Sequence, residues 1–294
     1  MEISIQQHVL PIIVIFVMTT IGMELKVRQF IELIESPTVP IVGTIIHTLS
    51  FPLVAIALTV LIKYFALDVS DGTIIGILLI AACPSGGFSN VLVLIAKANL
   101  VLSVALTAIS SIASFLTVPL LMGGFAYLIT DLDTPISLPV METLIQLLVL
   151  IVLPIGGGMI WQAKCPEFVA GNLKRMQKFG QVALYVCVAA IIYQTFDTVI
   201  AEIEQAIPWS LLLCILTIGL SYVLSLAAGL KPRDRVTVAL EGSIRNLAVA
   251  LLIAVSVLER PDIAVLPTVY FLAVLVIAIG FAKTWHLFLA SDQP

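Results

Sequence analysis

Cys83-Pro84-Ser85-Gly86-Gly87-Phe88-Ser89-Asn90 interrupts an apolar run that reads Gly72 to Ala82 before it and Val91 to Ala96 after it. Proline removes a backbone donor and clashes with the preceding turn, and glycine has little helical preference. The stretch predicts a helix that unwinds midway along its length and then resumes. Glu241-Gly242-Ser243-Ile244-Arg245-Asn246, followed by the apolar Leu247 to Leu252, repeats the device. In both, a Gly precedes an Asn by four residues (Gly86 and Asn90, Gly242 and Asn246), so each Asn is placed to cap the second half-helix.

Composition says what solvent these helices meet. Of 294 residues, 61% are hydrophobic and 11% charged, with a mean hydropathy of +1.17. A soluble domain carries about 25% charge, so a cytosolic enzyme, a nucleic-acid binder and a disulfide-stapled secreted module are all excluded. Cys83, Cys187 and Cys214 lie in apolar runs and Cys165 beside a basic loop, without CxxC spacing, and read as packing residues. Apolar runs near the length that spans a bilayer recur throughout. They predict an all-α polytopic membrane protein of nine transmembrane helices, at 8–25, 38–63, 72–97, 100–128, 139–161, 179–200, 206–228, 236–257 and 264–289. The segments 26–37 and 162–178 read equally well as amphipathic helices on the membrane surface or as solvated loops.

Basic residues sort by the positive-inside rule. With the amino end outside, Lys26, Arg28, Lys97, Lys164, Lys174, Arg175, Lys178, Lys231, Arg233, Arg235 and Lys283 all fall inside, against Lys63 and Arg260 outside. The expected setting is therefore the cell (inner) membrane, with the carboxyl end cytoplasmic. Arg245 alone remains, in the middle of the eighth span.

Backbone freed from a helix cannot face lipid, so both breaks must be buried in protein or line a wet cavity. The third and eighth spans run in opposite directions, and interrupted helices at matching positions in two oppositely oriented halves signal an inverted-repeat transporter. Glu241 and Arg245 strengthen the reading, because intramembrane ionisable groups are costly enough to mark function. Ser89 and Asn90 in the third span, Ser103 and Thr107 in the fourth, and Glu241 in the eighth make a set of short oxygen donors, with Ser103 and Thr107 on one helical face. Singly, each hydroxyl is explained by a bond to its own helix. Grouped with a carboxylate they suit a small monovalent cation.

These residues make the chain similar to the bile acid:sodium symporter family from about residue 9 to 285. The likeness is carried by Gly22-Met23-Glu24-Leu25, by Cys83 to Asn90 with Ala98-Asn99-Leu100 and Leu102-Ser103, and by Glu241 to Asn246. It implies two inverted five-helix repeats sorted into core and panel domains, with crossed broken helices; the expectation here is nine spans, the chain beginning at what resembles the second span of the family's ten-span members. On this chain that gives a first panel span and surface helix at 1–37, a core half at 38–128 (broken helix 72–97), panel spans at 139–200 with the surface helix 162–178, and a second core half at 206–289 (broken helix 236–257). It also implies sodium-driven transport of an organic anion, either bile acid-like or a small carboxylate, with no cofactor besides the coupling ion.

The resemblance places a first sodium site on Ser89, Asn90, Ser103, Thr107 and Glu241. A second, involving Glu241, Gly242 and Ile244, uses two glutamines whose positions hold His47 and Arg245 here. Arginine offers no lone pair and stays protonated, so the expectation is that Arg245 replaces the second sodium and pairs with Glu241. In a rival reading Arg245 clamps the substrate carboxylate, together with Gly87, Phe88, Asn90 and Asn246. His47 leaves open a proton-coupled or sodium-independent carrier, and a non-transporting receptor on the same fold is a further alternative. No paired-Asp, HExxH or GxSxG motif points to an enzyme.

Overall fold

A computed structural model describes residues 8–24, 38–126, 145–146, 148–194 and 196–290. The expected surface helix at 26–37 and the start of the span at 139–161 lie outside these residues. The described chain is helical: α1 (Leu10–Glu24), α2 (Thr38–Tyr64), α3 (Asp71–Ala82), α4 (Phe88–Ile95), α5 (Leu100–Ala126), α6 (Leu153–Lys164) after a π-turn at Leu148–Val152, α7 (Pro166–Gln194), α8 (Phe196–Ala227), α9 (Pro232–Ser243), α10 (Leu247–Leu251) continued by a π-turn at Leu252–Val257, and α11 (Pro261–Ala290).

Among the described residues α2, α7, α8 and Pro261–Trp285 of α11 are long and apolar enough to cross a membrane. The two parts of α5, Leu100–Ser114 and Leu116–Phe125, meet at 65° and make a fifth if taken as one span. Pro119 explains that bend, since a proline ring displaces the carbonyl four residues earlier. Leu10–Glu24, Asp71–Ala82, Leu148–Lys164 and Leu247–Val257 are shorter apolar helices.

The segment 162–178 is not set apart from the span that follows it, because α7 runs unbroken from Pro166 to Gln194. Asn172 to Lys178 contains good helix formers and no proline, so its charges mark where water begins rather than where the helix ends. Likewise α8 starts at Phe196 and takes in Asp197, Glu202 and Glu204.

α1 packs against α6 and α7, while α3 packs on α11 and α9 on α8. The α1–α6 contact is backbone to backbone. A Cβ on Gly22 would lie 2.0 Å from the Ile155 carbonyl oxygen, and one on Gly158 2.1 Å from that of Thr19. Glycine is therefore required at both positions, as at other close helix crossings in lipid. Gly158→Ala should destabilise the protein by about 1–3 kcal/mol through overpacking; an unchanged unfolding temperature in detergent would refute the contact.

α3 is apolar on all sides and buried from Gly72 to Ala82. Both breaks occur as expected, Cys83–Gly87 between α3 and α4 and Ile244–Asn246 between α9 and α10, and they cross. Ser85 and Arg245 form an antiparallel bridge, with Gly86 N donating to Ile244 O (3.1 Å) and Asn246 N to Pro84 O (2.9 Å). Each unwound segment thus satisfies groups the other has freed, which meets the demand that lipid-depth backbone be bonded within protein. Gly86 permits the approach, since a Cβ there would sit 3.1 Å from the Arg245 carbonyl oxygen.

Candidate functional site

The crossing carries Glu241 on the last turn of α9, fully buried. Ser89, on the first turn of α4, donates to its Oε1 at 2.7 Å. Thr107 of α5 lies 3.1 Å from Oε1 and 3.0 Å from Oε2. Ser103, one turn before Thr107, also donates to Oε1, and its oxygen stands 2.8 Å from Asn90 Oδ1. Ser89 Oγ is in addition 2.9 Å from the Gly86 carbonyl.

The cluster is rich in oxygen and poor in hydrogen. Ser89, Ser103 and Thr107 bring one hydroxyl hydrogen each, yet the acceptors they face are both Glu241 oxygens, Asn90 Oδ1 and Gly86 O. One carboxylate amid neutral oxygens is donor chemistry for a hard monovalent cation. No group of three or more His, Cys, Asp or Glu side chains that could hold a metal ion occurs among the described residues.

The two asparagines do different work. Asn246 caps α10, its Oδ1 accepting from Val249 N at 3.3 Å. Asn90 does not cap α4: the cap position falls on Gly87, because the chain re-enters the helix three residues before Asn90. Its side chain is thereby left for the Glu241 cluster.

Arg245 is buried as well, at 4% exposure. The expected pairing with Glu241 is absent, with no ion pair between them within 4 Å among the described residues. Four positions apart, the two would share a face on a continuous helix, but α9 ends at Ser243 and extended Ile244 turns Arg245 away. Its Nη1 instead donates to Cys83 O (3.2 Å) and Nη2 to His47 O (2.9 Å), and the guanidinium stacks 4.6 Å from the Phe51 ring centroid. The anchor carbonyls lie at one end of the α3 break and in α2. His47 is fully buried with neither ring nitrogen partnered, and Arg245 Nε is also unpartnered.

The remaining second-site positions are taken up by structure. Ile244 O accepts from Gly86 N, and a Cβ on Gly242 would lie 2.5 Å from Ser221 Oγ. Phe88 rests against Phe271 at 6.4 Å between centroids, and Gly87 faces open space. The two terminal nitrogens of Arg245 each hold a backbone carbonyl.

With this geometry in view, comparison with known proteins decides the family. A sequence model described as the Sodium Bile acid symporter family matches residues 11–203. The chain belongs to that family. Symporters of this kind are transporters rather than enzymes. The chain is 36% identical over 110 residues to an uncharacterized sodium-dependent transporter, YocS, of Bacillus subtilis (37% of this chain, 33% of the relative). It is 25% identical over 250 residues to a probable sodium/metabolite cotransporter, BASS2, of rice chloroplasts (85% and 57%). It is 27% identical over 193 residues to the human ileal sodium/bile acid cotransporter (64% and 52%). Its matches cover between a third and somewhat over half of these symporter relatives.

One polar group that sequence reasoning missed lies a turn or two from Glu241. Asn99, at the α4–α5 turn, donates from Nδ2 to Asp234 Oδ1 (2.8 Å) and from its backbone N to Thr237 Oγ1 (2.9 Å). The spacing held the signal: Asn99, Ser103 and Thr107 recur every four residues, and Asp234, Thr237 and Glu241 at +3 and +4. A separate cavity of about 190 Å3 lies among α7, α8, α10 and α11, lined by apolar groups such as Val188, Ile191, Leu251, Val265 and Leu272, with Thr268 its polar member.

Proposed function

We propose that this chain is a secondary active transporter of nine spans, which carries an organic anion with sodium by alternating access between a core (38–128 and 206–289) and a panel (1–37 and 139–200). The observation that carries this reading is the buried Glu241 carboxylate in its cage of Ser89, Ser103, Thr107 and Asn90. An unpaired buried carboxylate is costly, and a sodium ion on these oxygens would neutralise it. The names of the relatives, a sodium-dependent transporter and sodium-coupled cotransporters, agree with that assignment.

Only one sodium is assigned. Arg245 supplies a fixed positive charge to carbonyls near the crossing, and a second ion beside it would meet like-charge repulsion in a poorly screened interior. The apolar part of the substrate is assigned to the 190 Å3 cavity between panel helix α7 and core helix α11.

A thermal-shift screen of organic acids tests the whole reading, since a ligand that binds only the folded state raises its apparent stability by mass action. Sodium should stabilise the purified protein and the active acid should stabilise it further only with sodium present. Equal shifts in sodium and potassium chloride would reject sodium coupling, and binding without flux in proteoliposomes would favour a receptor.

A further inference from the structure

On the inverted-repeat reading the two broken helices are equivalent elements, and the seams they form are chemically unlike. In one, α9 approaches the crossing beside α5; in the other, α3 approaches it beside α11. Along α9 an oxygen-bearing side chain recurs from Asp234 through Thr237 to Glu241, facing Asn99, Ser103 and Thr107 of the α5 side. Along α3 every residue from Ile74 to Ala82 is apolar. That seam is also tight: a Cβ on Gly76 would stand 2.9 Å from Leu266 Cβ and 3.1 Å from Ile263 O. A cation leaving Glu241 finds oxygen ligands in one direction and an apolar, close-packed interface in the other.

Asp234 is the feature the carrier reading has not used. It is 7% exposed, its Oδ1 held by Asn99, and no cationic side chain pairs with it among the described residues although Lys231, Arg233 and Arg235 flank it in sequence. It lies about 10 Å along the α9 axis from Glu241, with Thr237 between them at about 6 Å. Each step is one helical turn, so an ion can exchange ligands without crossing an apolar gap.

We infer that the α5–α9 seam is the cytoplasmic route of the coupling ion, with Asp234 its next ligand after Glu241 and the Asn99 bonds to Asp234 and Thr237 the gate that opens to release it. This rests on the sodium reading of the Glu241 cage and on the cytoplasmic placement of the amino end of α9. Asp234 ligates the ion in transit, not in the bound state.

The route can be read without knowing the substrate. Thr237→Cys is introduced into a chain whose exposed Cys165 is changed to Ser; Cys83, Cys187 and Cys214 are buried. In inside-out vesicles a cationic methanethiosulfonate reagent should label Cys at 237 at least ~10-fold faster than an anionic one of similar size, after correction for each reagent's rate with a free thiol; such a ratio corresponds to ~1.4 kcal/mol of charge discrimination. Asp234→Asn should lower the ratio about tenfold and Asp234→Glu should restore it, a pattern that a purely structural role would not produce. No labelling is expected from the outside in right-side-out vesicles, and sodium should slow labelling from the inside. A ratio indifferent to Asp234→Asn, or labelling from outside, overturns the route even if sodium still protects. Charge discrimination without sodium protection overturns instead the sodium reading on which the route rests.

Discussion

Glu241→Gln is expected to erase the difference between sodium and potassium in thermal unfolding and to lower sodium-driven uptake by ~100-fold or more. Hydrogen bonds to a charged group are worth about 1.5–3 kcal/mol each. Three hydroxyls address the charge at the centre of the cage; losing it forfeits at least two such increments, and about 1.4 kcal/mol is a factor of ten in binding. The substitution keeps the shape: an amide oxygen at the Oε1 position can accept from Ser89 and Ser103, and the amide nitrogen at the Oε2 position can donate to Thr107 Oγ1. In sodium-free buffer the variant should be at least as stable as the parent, because a buried carboxylate without a counter-ion is itself destabilising. Sodium-specific stabilisation that survives Glu241→Gln would place the ion elsewhere.

The second large effect concerns stoichiometry. With one sodium and a monovalent anion, each cycle moves no net charge, so a potential imposed on proteoliposomes should leave accumulation unchanged and the sodium Hill coefficient should lie near one. Replacing His47 and Arg245 together by glutamine removes the fixed charge and supplies two neutral oxygens beside the Cys83 and His47 carbonyls that Arg245 now occupies. If a second sodium enters, the Hill coefficient should rise toward two and transport should become electrogenic. An elementary charge moved through 100 mV is worth about 2.3 kcal/mol, or roughly 50-fold in substrate accumulation. A parent protein with a Hill coefficient of two would reject the role given to Arg245, and so would a double variant that folds and transports yet stays electroneutral.

The parts of the molecule legible in the sequence were those fixed by local chemistry. Pro84 and the glycines beside it announce a break wherever they occur in an apolar helix, and a Ser and a Thr four apart must share a face. The long apolar helices α2, α8 and α11 were readable for the same reason. What local chemistry leaves open is direction after a break. Asn90 and Asn246 look equivalent in sequence, but α4 restarts at Phe88 and α10 at Leu247, so only Asn246 caps. Arg245 looks like a partner for Glu241 only if the helix continues between them; one extended residue, Ile244, sends it to Phe51 and two carbonyls instead. The Asn99–Asp234 bond joins residues 135 positions apart, and although the spacing on each side was visible, their registration depends on how the two halves cross. The charges of 162–178 suggested a segment apart from the next span for a simpler reason: polarity reports the position of the water surface, while helix ends answer to backbone chemistry.

The bridge between the two breaks also bears on how the protein is made. Ser85 and Arg245, which form it, are about 160 positions apart in sequence, and a ribosome adding ~5–20 residues per second delivers the second roughly 8–30 s after the first. Through that interval the Pro84 carbonyl and Gly86 amide are without the partners they will keep. The nascent first half must therefore wait in the insertion machinery or at the watery interface, rather than settle into lipid, until its counterpart is synthesised. A chain stalled before Ile244 should be recovered as an unstable, protease-sensitive species even though its hydrophobicity suffices for membrane insertion.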